Sequence, residues 1–232
     1  MNSRTRIALV TVLVMLLLAT STIYVQAFLR PKPVQEVNTD KKIVALTFDV
    51  SWGYETAPQV LDILKANQVV CTFFLSGPWA TEYPEIVQRI QADGHEIASH
   101  GHRHINLTIF SKSEVKEEIM KAHLAIQTVS GESPRLIRTP NGDYNDNVME
   151  AIQECHYKAI QWGTDSLDWM NPGVPVIVER VNRRVHPGDI ILMHASDTCK
   201  QTAQALPEVI SIIRGQGYEI VTVSELLEQA AP

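Results

Sequence analysis

Titratable side chains gather in five short stretches of this chain: Thr47-Phe48-Asp49, Ser99-His100-Gly101-His102-Arg103-His104, Arg138-Thr139-Pro140-Asn141-Gly142, Asp165-Ser166-Leu167-Asp168-Trp169 and Met193-His194. His100 and His104 are the sharpest pair. Imidazoles four residues apart meet on one side of a helical turn and can share one divalent cation, with His102 pointing elsewhere. Two satisfied loop histidines fit the same spacing. Asp49 ends an apolar run, which suits a general base whose pKa its neighbours adjust, and equally suits a cap for the following loop. Arg138 can hold that carboxylate ionised and oriented, while Asp165 or Asp168 can pair with His194 and keep it protonated as an acid; routine surface ion pairs are the alternative. A carboxylate base, a metal-held water and a separate imidazolium acid together suit hydrolysis of an amide or ester. His95 reads as structural, and His123, His156 and His186 as surface or packing residues.

Strands have to end where these stretches begin. Apolar or β-branched runs at Ile43 to Phe48, Val69 to Leu75, Glu96 to Ser99, Ala159 to Trp162, Ile190 to His194 and Glu219 to Thr222, with a shorter one at Pro134 to Ile137, alternate with segments of helical period. The clearest helix carries Val115, Ile119, Ala122, Ile126 and Val129, opened by a Ser111…Glu114 capping box and closed by Gly131. Six or seven strand-then-helix units predict an α/β fold, a distorted or incomplete (β/α) barrel of parallel strands. Such barrels carry their chemistry at strand C-termini, which is where the polar stretches fall.

Composition narrows the functions. The chain has 232 residues, 45% hydrophobic and 20% charged, with a net charge of −6. Arg4, Arg6 and Arg30 are the only charges in the first thirty residues, so the remainder holds 17 basic against 26 acidic side chains, a poor surface for nucleic acid and an easier one for a neutral glycan. The uncharged stretch from Ile7 to Leu29 behind Arg4 and Arg6 reads as an export leader over residues 1–29, either a cleaved signal peptide or a retained membrane anchor, with the rest outside the membrane. Residues 30–41, with two prolines, read as a linker, and 42–232 as the folded domain. Cys71 and Cys155 read as small core residues, and no cysteine pair has zinc-site spacing.

From about Lys42 to Leu227 the chain resembles the polysaccharide deacetylases with a NodB homology domain, carbohydrate esterase family four. The resemblance rests on five motifs in order: Thr47-Phe48-Asp49, His100…His104, Arg138-x-Pro140-x-Gly142, Asp165-x-x-Asp168-Trp169 and Leu192-x-His194. The leader and Phe-Asp-Val-Ser-Trp-Gly in the first motif look most like the sporulation-associated deacetylases of Gram-positive spore formers. It implies a NodB-type fold and a hydrolase acting on an N-acetylated glycan, peptidoglycan of the cell wall or spore cortex, and the chain is expected to act as a monomer. It further implies that His100 and His104 bind a divalent metal, zinc or cobalt, that Asp49 is the base oriented by Arg138, and that His194 is the acid tuned by Asp168. The backbone N–H of Asn141 would hold the oxyanion, Trp169 and Leu192 would form the acetyl pocket, and Tyr144 joins the substrate-binding set.

Two departures stand out. The family's first motif has a second aspartate completing a His-His-Asp metal site where this chain has Val50, and an aromatic is usual at Asn141. Two further readings follow. One is a weak or inactive deacetylase-like glycan-binding protein of the spore envelope, which Val50 favours. The other is a metal-independent amidohydrolase of small cyclic amides, which the export leader disfavours.

Overall fold

The computed structural model describes residues 31–230 together with Met15. The rest of the expected leader lies outside the described residues, among which no helix is long and apolar enough to cross a membrane.

The central strand β1 (Ile43–Val50) is buried along its whole length, as a parallel strand covered on both faces requires. Its two faces have different company. Val44, Leu46, Phe48 and Val50 pack outward with Val60, Leu61 and Leu64 of helix α1 (Thr56–Ala66) and Leu206, Val209 and Ile213 of helix α7 (Thr202–Gly215). Ala45 faces inward with Phe74, Ala98, Leu136 and Ile190, and this period of two leaves Thr47 and Asp49 on the inner face as well.

Between these elements run β2 (Thr72–Leu75), α2 (Gly77–Glu82), α3 (Pro84–Ala92), β3 (Glu96–Ser99), α4 (Lys112–Ser130), β4 (Leu136–Ile137), α5 (Asp146–Glu154), β5 (Lys158–Ala159), β6 (Thr164–Asp165), α6 (Val174–Arg184) and β7 (Ile190–His194). After α7 come β8 (Glu219–Val221) and α8 (Val223–Glu228). The sheet order is β5-β4-β3-β2-β1-β7-β6, with β8 also on β1, and every ladder is parallel. The expected open parallel barrel is therefore what the chain forms. Helix α4 keeps its Ser111/Glu114 capping box and ends at Gly131 with φ +74.

Two expectations need correcting. The run Ala159 to Trp162 is not one strand: β5 and β6 lie at opposite ends of the sheet order, and residues 160–163 carry the chain from one end to the other. Gly163 permits this because a Cβ there would press on Asp189 Oδ1, 2.6 Å away. The described part of the expected linker, residues 31–41, is also more than a tether. Val34 pairs with Ile160 beside β5 and Glu36 with Asp189 at the start of β7, and Val37 is buried, so this strap spans the gap that the short β5 and β6 leave in the wall.

Candidate active site

Asp49 and His194 are register partners on the adjacent strands β1 and β7, so the ladder alone sets a carboxylate beside an imidazole at the C-terminal rim. From β4, Arg138 reaches across the inner face with its side chain wholly buried. Its Nη1 donates to Asp49 Oδ1 at 2.7 Å and to Thr47 Oγ1 at 3.0 Å, its Nη2 donates to the Gln161 carbonyl at 3.1 Å, and its guanidinium carbon lies 4.1 Å from the Phe74 ring centroid. Burial by itself would raise the Asp49 carboxyl, but the charge of Arg138, then of His100 and His194, more than offsets it and holds the group below its ordinary value.

His100 is fixed from the same residue. Its Nδ1 lies 2.9 Å from the Arg138 carbonyl; a carbonyl only accepts, so Nδ1 carries the proton and Nε2 presents its lone pair 3.6 Å from Asp49 Oδ2. Burial drives the His100 pKa down to about 4, against the opposing pull of Asp49, and burial likewise lowers His104. Their rings are 5.3 Å apart, centroid to centroid. The helical turn expected to join them is absent: Gly101 takes φ +76 and the segment is a chain of bends. A loop brings the pair together, while His102 turns away towards Gly77.

The fourth stretch supplies the partner of His194. Leu167 adopts φ +59 ahead of a single 3-10 turn, Asp168–Met170. Asp168 is wholly buried; its Oδ1 lies 2.7 Å from His194 Nδ1, and its Oδ2 accepts from the His194 N–H at 2.8 Å and from Thr202 Oγ1 at 2.6 Å. Of the two acidic residues offered by the sequence, it is Asp168 that pairs with His194. Burial would lower the imidazole, but Asp168, then Asp49 and Asp165, overcome that and raise it above its ordinary value.

These groups face a cavity of about 370 Å³, bordered by Asp49, His100, His104, Asn141, Leu192, His194, Trp169 and Asp165. Arg138 and Asp168 stand behind it, and Tyr144 is not among its lining residues. Trp52, Trp162, Ser196, Thr198 and Cys199 line it too, none singled out by spacing; Gln161 and Thr202, which anchor Arg138 and Asp168, were equally silent. The three cysteines are free, and burial pushes the Cys199 thiol up to about 12, so it faces the cavity as a neutral thiol. Asn141, with φ +58, and Gly142, with φ +66, form the turn after Pro140; a Cβ on Gly142 would lie 2.9 Å from Trp162 Cη2.

Two neutral imidazoles in a shared cavity with a carboxylate fit two positions around a divalent cation. Among the described residues, no group of three or more His, Cys, Asp or Glu side chains is arranged to hold a metal ion. Val50, wholly buried, belongs to the apolar cluster on the outer face of β1 and supplies no donor.

A family model described as polysaccharide deacetylase matches residues 36–160. A Bacillus cereus peptidoglycan-N-acetylglucosamine deacetylase is 35% identical over 195 residues, spanning 83% of this chain and 91% of its own. An uncharacterized Bacillus subtilis protein, YlxY, is 33% identical over 87% of this chain, which spans only 62% of that relative. Among solved structures, a CE4 family pseudoenzyme from Bacillus anthracis superposes with a TM-score of 0.81 at 32% identity, covering 88% of this chain and 72% of that one; a mutant of that protein is described as having restored enzymatic activity. With the Asp49–Arg138 and Asp168–His194 pairs set at the rim of its parallel sheet, and with relatives matched along most of its length, this chain belongs to the polysaccharide deacetylase family.

Proposed function

We propose that this chain hydrolyses the acetamide of an N-acetylated glycan, with peptidoglycan of the cell wall or spore cortex as the substrate class. The observation that carries the reading is the presence of two separate pairs, the buried Asp49 with Arg138 and the part-buried His194 with Asp168, whose members Asp49 and His194 line one cavity. A surface for binding alone has no use for a matched base and acid.

Asp49 Oδ1 is committed to Arg138, so Oδ2 is the atom that takes the proton from the attacking water. The resulting hydroxide adds to the acetamide carbonyl carbon, and the backbone N–H of Asn141 faces the oxyanion. His194 Nδ1 is committed to Asp168, so Nε2 gives its proton to the sugar nitrogen as the carbon–nitrogen bond breaks, leaving acetate and a free amine. Trp169 and Leu192 enclose the acetyl methyl. His100 and His104 would hold zinc or cobalt, which when bound polarises the carbonyl and makes water easier to deprotonate. Export by the 1–29 leader, cleaved or kept as an anchor, would bring the domain to the extracytoplasmic side where that polymer lies.

One observation favours a second reading, a glycan-binding protein of the spore envelope with little turnover: no three-group metal cluster is present among the described residues, and Val50 fills an apolar niche. Bound metal and acetate release, measured together on the full chain in detergent supplied with zinc or cobalt and N-acetylated peptidoglycan, separate the two. Stoichiometric metal with acetate supports the hydrolase; neither, in a protein that still sediments with the polymer, supports the binder.

A further inference from the structure

Single exposed aromatics are ordinary on protein surfaces. Trp52 is not ordinary, because it is 41% exposed on a loop bonded along its length. Its indole Nε1 donates to Thr198 Oγ1 at 2.9 Å, and its ring stands 5.0 Å from that of His104 at an angle of 79°. Behind it the Asp197 carboxylate accepts from the backbone N–H groups of Tyr54, Glu55 and Thr56 at 2.9, 2.9 and 2.8 Å. The Asp197 N–H donates to the Trp52 carbonyl at 3.2 Å, and Ser51 N–H donates to Ser196 Oγ at 2.9 Å. Gly53, at φ +81, lets the turn close on Asp197, since a Cβ there would overlap the carboxylate. Trp79 Nε1 holds the Gly53 carbonyl at 2.6 Å from the opposite side.

The segment that grips Trp52 also grips Asn171, just past another tryptophan of the rim. The Thr198 carbonyl accepts from Asn171 Nδ2 and the Lys200 N–H donates to Asn171 Oδ1, both at 2.8 Å, two residues beyond Trp169, itself 50% exposed. One stretch after β7, Asp197–Lys200, thus fixes the Trp52 indole and the backbone turn that follows Trp169, at the border of the cavity that holds Asp49 and His194. Rigid aromatic surface already ordered before binding suits an apolar, neutral ring face at little entropic cost, and the acidic balance of the domain favours an uncharged ligand.

We propose that Trp52 is a stacking platform for a pyranose ring, the sugar next to the one whose acetamide enters the cavity, and that Asp197 and Thr198 are the positioning residues that aim it. The proposal rests on the glycan reading above. It predicts a gain in affinity with chain length that resides in Trp52.

The test compares dissociation constants of the full chain in detergent, supplied with zinc or cobalt, for N-acetylglucosamine and its dimer, in the native sequence, Trp52→Ala and Trp52→Phe, with acetate release followed in parallel. We expect the dimer to bind roughly five- to tenfold tighter than the monosaccharide, as one stacked aromatic contact provides. Trp52→Ala should lose that gain and Trp52→Phe should keep most of it. A Trp52→Ala protein with unchanged thermal unfolding that keeps the full gain overturns the platform and leaves the deacetylase reading intact. A gain lost in Trp52→Ala without any acetate from the native protein supports the platform and removes the hydrolase reading. Binding of neither sugar by the native chain overturns the platform, while the deacetylase reading is decided by acetate release from peptidoglycan.

Discussion

Arg138 holds both sides of the reaction centre: its Nη1 donates to Asp49 Oδ1 at 2.7 Å, while its carbonyl accepts from His100 at 2.9 Å. With guanidinium and carboxylate both buried, removing one partner strands the other. Arg138→Ala should therefore cost about 3–5 kcal/mol of stability in urea unfolding, far more than an exposed pair would. Arg138→Lys, which keeps the charge but loses the fork that spans Thr47, Asp49 and Gln161, should fall between. A loss below about 1 kcal/mol for the alanine variant would show that the pair is not structurally coupled.

Acid should unfold the protein through buried neutral imidazoles. His95 is buried and its pKa falls to about 4, chiefly from burial; its Nδ1 accepts the Cys71 N–H at 3.2 Å, a bond that protonation there would remove. His100 is also lowered to about 4. The unfolded chain takes up these protons near the ordinary value of 6.5 and the folded chain only near 4, so the unfolded state binds more protons in that window and stability drops as pH falls through it. The full contribution is present above pH 6.5. Urea midpoints between pH 7.5 and 4.5 should fall, less steeply in His95→Asn; a flat profile in the native protein would contradict the assignment.

The acid limb of the chemistry depends on Asp168. Because Asp168 is the largest influence raising His194 against burial, the proton should persist on the imidazole above pH 6.5, and the alkaline fall of kcat/KM should lie above that value. Asp168→Asn should move this fall downward and lower kcat by roughly 10²–10⁴-fold. Thr202→Val, which removes one bond to Asp168 Oδ2, should act the same way more weakly. An alkaline limb unmoved in Asp168→Asn would place the acid elsewhere.

Metal retention should depend on the two imidazoles. His100→Ala with His104→Ala should empty the full chain of zinc, read by elemental analysis after dialysis, with the fold retained in circular dichroism. Stoichiometric zinc in that double variant would mean that other groups bind it.

Where the sequence was legible, one physical signal dominated. β3 and β7 could be bounded to the residue because apolar runs stop at Ser99 and His194, and the same stops located the chemistry. The Ser111 capping box likewise marked α4 correctly. Pairing across the barrel left no such trace. Residues 160–163 look like continued strand, and only the ladders reveal that β5 and β6 occupy opposite ends of the sheet. The strap at Val34 to Val37 was hidden by two prolines that suggested a tether. The four-residue histidine spacing suggested a helix, while Gly101, with its positive φ, built a loop that brings the rings together anyway. Trp52, Gln161 and Thr202 owe their places to tertiary contacts alone, although Ser-Trp-Gly-Tyr after the end of β1 was a hint of a built turn.

The most direct test of the central claim is acetate release from N-acetylated peptidoglycan by the full chain supplied with zinc or cobalt, compared with Asp49→Asn. The account predicts release by the native protein and none by Asp49→Asn, with both equally folded. Equal release by the two would show that Asp49 is not the base, and a folded, metal-supplied native protein that releases nothing would contradict the hydrolase reading.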